Sequence, residues 1–503
     1  MNVAERLKYF INGEYKDSKT DVWYDLFNPS TGENAGQAPC CTNDEVLDAI
    51  ASAKAAFPAW SATPAVKRAQ ILFKVRSLIL ENLEELTLCV AKENGKVLSE
   101  AEGDVLKAAE GTELATQVIT QMMGDSIMDT SKGYDTVLYR EPIGVFAGIV
   151  PVNFPAMIPF GWMAPVCIAS GNTMVLKAAS ITPKTALKIA ALYKEAGLPD
   201  GVLNVVTCSR NEINTLLDHP DVKGITFVGS TPVGKIIYER AAKAGKRVQC
   251  LTQAKNHALI LADAPISRTA AGVINSAFGC AGQRCMALTA CCVEESIADE
   301  FVAEVIKLAK GLKIGPAYEK NSRLGPITYE SHYKEVLEAI ENGIKEGATL
   351  VLDGRNPDVP NFSGGYYVGP TIFDNVTEDM VLGNEEIFGP VLSIKRVKNF
   401  NDGLRIMNNN RYANGSVIFT QNGHYAREFS RHSHAGMVGV NVGIPVPIGF
   451  FAFSGHKDSF FGDLHCLGKD SYRFYTESKT VTTRWFDEEE IHKTEVSTWD
   501  GTI

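Results

Sequence analysis

The chain has 503 residues, with 49 basic against 59 acidic side chains, a formal charge of −10 and a pI near 5.5. That balance lacks the basic field that displaces counterions from nucleic acid or an anionic membrane, so neither partner is expected. Hydrophobic content of 45% and charged content of 21% are those of a soluble globular chain long enough for two or three domains. The start mixes Glu5 with Arg6 and Lys8 and has no apolar run, so no signal peptide or transit sequence is read there. Eleven cysteines include the adjacent pairs Cys40–Cys41 and Cys291–Cys292, with no Cys-x-x-Cys and no Cys/His cluster at zinc spacing. Neither a disulfide scaffold nor a metal site is expected, and a reducing compartment is: the cytoplasm, or the mitochondrial matrix in a eukaryote.

Between about residues 145 and 250, short β-branched runs alternate with helical patterns. Strands are expected over 145–152, 173–177, 202–207, 224–228 and 248–252. Helices are expected over 156–170, 183–196, 212–218 and 231–244, the second of them stopping at Gly197. The stretch from Ile143 to Leu176 carries no charge, but Pro151, Pro155, Pro159 and Pro165 interrupt it too often for a membrane span. Such βα units build a parallel sheet covered on both faces, and ligands sit at the carboxyl ends of its strands. A second alternating region runs from about 254 to 452, with Val336, Leu337, Ile340 and Ile344 at helical spacing before a strand at 350–352. Residues from Phe486 onward are acidic and read as a solvated tail.

Several motifs punctuate this frame. Gly279-Cys280-Ala281-Gly282-Gln283-Arg284-Cys285-Met286 sets a thiol in a loop of small residues, where backbone N–H groups can approach it. Taken alone it is one thiol of eleven, and buried cysteines mostly pack. The pairing with Gln253-Ala254-Lys255-Asn256, about thirty residues earlier, distinguishes Cys285. Asn153, in Pro151-Val152-Asn153-Phe154-Pro155 at a strand end, can donate its amide to an oxyanion or simply satisfy a loop. Lys177 ends the next strand, suited to a cofactor hydroxyl or phosphate, or merely to solvent. The run from Phe227 through Gly229, Ser230 and Thr231 to Gly234 is a strand, a Gly/Ser turn and a helix start. Ser230 or Thr231 can cap that helix, and its first N–H groups suit a pyrophosphate, although the run is not a G-x-G-x-x-G fingerprint. Glu386-Ile387-Phe388-Gly389-Pro390 offers a carboxylate for ribose hydroxyls and an aromatic ring beside a nicotinamide.

Together these motifs, in order and spacing over nearly the whole chain, resemble the aldehyde dehydrogenase superfamily. Gln253-Ala254-Lys255-Asn256-His257, Arg284-Cys285-Met286-Ala287 and the C-terminal run from Arg473 to Trp485 are similar to the CoA-acylating methylmalonate/malonate semialdehyde group. The resemblance implies an α/β fold with a Rossmann-like cofactor domain (1–124 and 145–253), an α/β catalytic domain (254–452) and a small oligomerisation β-sheet (125–144 and 466–485), followed by the tail 486–503. It implies Cys285 as nucleophile, with Asn153 and the Cys285 N–H as oxyanion hole. Val150, Pro151, Val152, Lys177, Ser180, Gly229, Ser230, Glu386 and Phe388 would bind NAD. Arg284 and Lys107 would bind the acid group of the substrate, and the partners would be a small aldehyde and further copies of the chain, as a dimer or tetramer.

Departures from the family pattern shape the chemistry. Where hydrolytic members carry a water-activating Glu, this chain has Leu251, which takes no proton, so coenzyme A is expected to accept the acyl group. Thr252-Gln253 stands where a Gly-Gly is usual. Ser180 replaces a Glu that would repel a 2′-phosphate, which leaves NADP open beside NAD. Lys107 replaces an arginine, keeping the charge but losing the bidentate fork. Arg284, next to the nucleophile, is expected to favour its thiolate. A hydrolytic semialdehyde or sulfo-aldehyde dehydrogenase, and a catalytically silent relative, stand as alternatives.

Overall fold

The run Val145–Ile149 is buried at every position, as a strand covered on both faces must be. In the computed structural model, which describes residues 5–489 and 491, it lies at the centre of an eight-stranded sheet. Thr173–Lys177 pairs with it in parallel on one side, followed by Leu203–Val206. Val222–Val228 and then Arg247–Leu251 pair in parallel on the other. The sequence order therefore reverses direction between Val145–Ile149 and Val222–Val228, and an open α/β sheet leaves a crevice at such a switch point. Antiparallel strands close both edges: the hairpin Tyr9–Ile11 with Glu14–Lys16, and Phe460–Gly462.

The second sheet has seven strands, in the order Thr349–Leu352, Thr371–Asp374, Val391–Val397, Leu288–Glu294, Asn256–Ile260, Gly415–Phe419 and Met437–Val440. All pairings are parallel except the first. A third sheet pairs Thr476–Arg484 along the whole of Tyr134–Pro142, with Ser126–Ser131 beyond it. Ile127, Met128, Tyr139, Val481 and Trp485 in and beside this sheet are exposed. Among the described residues no helix is long and apolar enough to cross a membrane, and no cluster of three potential metal ligands occurs. Of the acidic tail, only residues 486–489 and 491 are described; the rest lies outside the described residues.

The segment expected as one helix over 156–170 is two: a π-helix Ile158–Met163 continuing into the α-helix Ala164–Ala169. Pro165 supplies no N–H, so the ordinary ladder cannot run through this turn. The Phe160 carbonyl accepts instead from Thr112 Oγ1 at 3.0 Å, on the helix Leu98–Ala115. The two helices approach so closely that a Cβ on Gly111 would lie 2.2 Å from the Gly161 oxygen. This contact fixes the segment that follows the Asn153 loop. Gly111→Ala should therefore cost about 1–3 kcal/mol of stability, read as a lower urea midpoint; an unchanged midpoint would contradict the contact.

Candidate active site

Two cavities meet at Cys285, which lines both. The first, of about 550 Å³, lies at the switch point and is lined by Pro151, Val152 and Asn153 after one strand and Gly229 and Ser230 after the other. Gln253, Glu386 and Phe388 complete its wall near the thiol. The second, of about 410 Å³, is lined by Glu100, Asp104, Lys107, Phe154, Trp162 and Arg284, among others. A thiol at the junction of two cavities can be reached by one molecule from each side.

The loop carrying Cys285 is held from several directions. Cys280 and Ala281 adopt left-handed backbone, with φ of 51° and 52°, a conformation that persists only where neighbours impose it. Asn153 Nδ2 donates to the Gln283 carbonyl at 3.0 Å. Gln283 Oε1 accepts from the Thr328 N–H at 3.1 Å. The Cys285 carbonyl accepts from two side-chain amides, Asn256 Nδ2 at 2.8 Å and Asn414 Nδ2 at 3.0 Å. Gly282, at φ 73°, lets the loop abut the next one: a Cβ there would lie 2.0 Å from the Gly389 oxygen. That neighbouring loop holds Phe388 at φ 58°, and its carbonyl lies 2.8 Å from His332 Nε2.

Beneath Asn153 lies a buried ion pair. Lys96 Nζ bonds Asp104 Oδ2 at 2.8 Å, with side chains 1% and 0% exposed. Lys96 also donates to the Asn153 carbonyl and sits 3.7 Å from the centre of the Phe154 ring. Asp104 Oδ1 accepts from the Met157 N–H at 2.7 Å. The pair thus ties the helix Leu98–Ala115 to both ends of the Asn153–Met157 turn.

The cofactor-side residues divide. Ser230 is the N-cap residue of the helix Thr231–Lys243, but its exposed hydroxyl makes no capping bond. The cap comes from Gln253, whose Oε1 accepts from the Thr231 N–H at 3.1 Å. Gln253 also bonds Glu386, and the Ala254 N–H donates to Glu386 Oε1 at 3.1 Å. The bulk expected from Gln253 in place of glycine is thus a brace between a helix N-terminus and a carboxylate. Val150, Lys177 and Ser180 lie on the same carboxyl edge of the sheet but are not among the residues lining the cavity. The Val150 N–H donates to the Lys177 carbonyl at 3.1 Å, and Ser180 Oγ to the Cys208 carbonyl at 3.4 Å. Burial holds the Lys177 ammonium below its usual pKa.

Leu251 is buried in the core. The carboxylate acting on Cys285 is Glu386, and burial raises its pKa to about 7. The Cys285 thiol is pushed up to about 12, first by burial and then by Glu386; its own backbone N–H, Arg284 and Lys96 pull less strongly the other way. The expected thiolate-favouring arginine is therefore outweighed. Arg284 is committed elsewhere, to Glu100 at 3.0 Å and to Cys280 Sγ at 3.2 Å. Lys107 pairs with Glu110 at 2.5 Å.

The sequence profile of the aldehyde dehydrogenase family matches residues 15–481. A malonate-semialdehyde dehydrogenase 2 of Bacillus mycoides is 46% identical over 485 residues, covering 96% of this chain and all of that one. A methylmalonate-semialdehyde dehydrogenase of Oceanimonas doudoroffii superposes with a TM-score of 0.95 at 39% identity, over 96% of this chain and 99% of that one. A Sinorhizobium meliloti structure of the same designation, solved with NAD, gives 0.95 at 37% identity, over 97% and 99%. The chain belongs to the aldehyde dehydrogenase family and has its mixed α/β fold. It is an oxidoreductase acting on aldehydes.

A thiol held as high as Cys285 is almost wholly protonated near neutrality in the free enzyme. Its alkylation by iodoacetamide, followed by mass spectrometry of the Cys285 peptide, should quicken about tenfold per pH unit from about pH 7 to about pH 10. A plateau near neutral pH would contradict this electrostatic account.

Proposed function

We propose that the protein oxidises a small aldehyde bearing an acid group, of the malonate or methylmalonate semialdehyde type, through a Cys285 thioester and passes the acyl group to coenzyme A. The observation that carries this is the junction: one nucleophile between two cavities, with Leu251 buried where hydrolytic relatives place a base. The relatives' names supply the substrate type.

The residues of the first cavity fit a dinucleotide. The crevice lies at the sheet's switch point, the Ser230 hydroxyl has no capping bond, and Glu386 presents a fixed carboxylate. In this reading Glu386 takes ribose hydroxyls, Ser230 and Gly229 the pyrophosphate and Phe388 the nicotinamide region, with Pro151 and Val152 as the floor. Val150 and Lys177, outside the lining, would be reached by the adenosine-side ribose at the strand ends. Ser180 leaves NADP open beside NAD. Bound there, the cofactor supplies the hydride acceptor.

The Cys285 thiol gives its proton to solvent, and Sγ adds as thiolate to the aldehyde carbon, making a C–S bond while the carbonyl oxygen becomes an oxyanion. Asn153 has a second amide N–H beyond the one given to Gln283, and with the Cys285 N–H it forms the oxyanion hole. Loss of hydride from that carbon returns the C=O as a thioester. A malonyl-type acyl group would then lose CO2, the α-carbon keeping the electron pair and taking a proton from solvent. The coenzyme A thiolate would attack the acyl carbon and release Cys285 as thiolate. Lys107 and Arg284 face the acid group from the second cavity. The eight-, seven- and three-stranded sheets would belong to the cofactor domain, the catalytic domain and an oligomerisation arm, and the exposed apolar residues of that arm suit a homo-oligomer. The rival hydrolytic route would need Glu386 as its base, with a pKa of about 7.

NAD(P)H formation from malonate semialdehyde with and without coenzyme A separates these routes. Without coenzyme A, the expected yield is one burst no larger than the number of subunits; with it, steady turnover. Sustained turnover to free acid in its absence would refute the acyl transfer. Cys285→Ala should lower kcat on the order of 10⁴-fold or more; retained turnover would refute the nucleophile.

A further inference from the structure

Each basic side chain along the second cavity already has an acidic partner. Lys107 pairs with Glu110 one helical turn on, with side chains 56% and 40% exposed, a pair that water screens and an incoming anion readily replaces. Lys96, behind the wall, is closed off by Asp104. The pair of Arg284 and Glu100 differs. Both side chains are only 16% exposed, both line the cavity, and three separate acceptors fix the guanidinium. Nη2 donates to Glu100 Oε1 at 3.0 Å, Nε to Cys280 Sγ at 3.2 Å and Nη1 to the Asn275 carbonyl at 3.3 Å. Glu100 Oε1 is itself fixed by the Cys280 N–H at 2.8 Å. A Cβ on Gly279 would lie 2.2 Å from Arg284 Nη1, so the guanidinium packs into space that only glycine leaves free.

We propose that Glu100 is a specificity-determining residue: an internal carboxylate that competes with the substrate's acid group for Arg284 and so sets the preference between acid-bearing and uncharged aldehydes. Its oxygen occupies one N–H of the fork that a substrate carboxylate would use, and its charge opposes a second anion beside it. With Glu100, Asp104 and Glu110 set against Arg284, Lys107 and Lys96, the cavity carries no surplus positive charge. Acid recognition is therefore an exchange of one carboxylate for another, and an uncharged aldehyde of equal length gives up little at this site. The inference rests on the reading of Cys285 as nucleophile and of Arg284 as the acid-facing cation.

Two reagents that differ only in charge test it without any turnover. Iodoacetate carries a carboxylate and iodoacetamide a neutral amide, and both are small enough to reach Cys285 through this cavity, which Arg284 and Glu100 line. The quantity measured is the ratio of their rates at the Cys285 peptide, read by mass spectrometry, in the wild type, Glu100→Gln and Glu100→Asp. Glu100→Gln keeps an oxygen for the Cys280 N–H and removes the charge, so the iodoacetate-to-iodoacetamide ratio should rise about tenfold. Glu100→Asp keeps the charge, and its ratio should stay within about twofold of wild type. The ratio of kcat/KM for malonate semialdehyde over propanal should move the same way. A ratio that is unchanged or falls in Glu100→Gln, or one that rises equally in Glu100→Asp, overturns the proposal and leaves Glu100 as a brace for the loop. If instead the wild type oxidises neither aldehyde while the alkylation ratio still shifts, the proposed function fails and with it the aldehyde preference, while the competition of Glu100 for Arg284 stands.

Discussion

The geometry around Cys285 depends on one set of hydrogen bonds: the side-chain amides that grip the backbone on either side of the thiol. Asn153 takes the Gln283 carbonyl, while Asn256 and Asn414 share the Cys285 carbonyl. These amides come from three places: the switch-point edge of the first sheet, and two adjacent strand starts of the second. The loop is thus stitched to both sheets at once. Left-handed backbone at Cys280 and Ala281 costs roughly 1–3 kcal/mol each, and such bonds over-determine it. In the proposed mechanism a thiol fixed this way meets the carbonyl carbon, and its backbone N–H the carbonyl oxygen, without rearrangement at the moment of reaction.

The same packing that fixes the loop also desolvates it, and that explains the protonated resting thiol. Glu386 shares the cleft and is itself raised to about 7 by burial, so near neutrality it is part charged and opposes a thiolate. Gln253 and the Ala254 N–H hold that carboxylate, and Gln253 ties it to the start of the helix Thr231–Lys243. A single side chain, Glu386, thus joins the wall of the first cavity to the charge felt by Cys285. Leu251 packs into the core and takes no proton.

Much of the frame is legible in the sequence because parallel strands buried on both faces are short continuous apolar runs, as at 145–149 and 173–177. The segment 156–170 misleads because its composition is helical while Pro165 breaks the ladder, and the resulting π turn depends on Thr112, which no local pattern reveals. At the site, Cys285, Asn153, Glu386 and Phe388 stand out as motifs. Asn414 does not, because it lies 129 residues from the carbonyl it holds and sits in an ordinary strand approach. The partner of Arg284 was equally hidden. Arg284 does favour a Cys285 thiolate, as its adjacency implies, but burial and Glu386 outweigh it, and its ion-pair partner Glu100 lies 184 residues away with no local signal. Sequence gives the identity of a side chain more readily than what already occupies it.

The central claim is that the oxidised carbon stays on Cys285 until a thiol removes it. Mass spectrometry of the protein after mixing with NAD and malonate semialdehyde, with coenzyme A omitted, tests this directly. The account predicts an acyl adduct on the Cys285 peptide that hydroxylamine or coenzyme A strips off. An unmodified Cys285 peptide alongside accumulating free acid would contradict it.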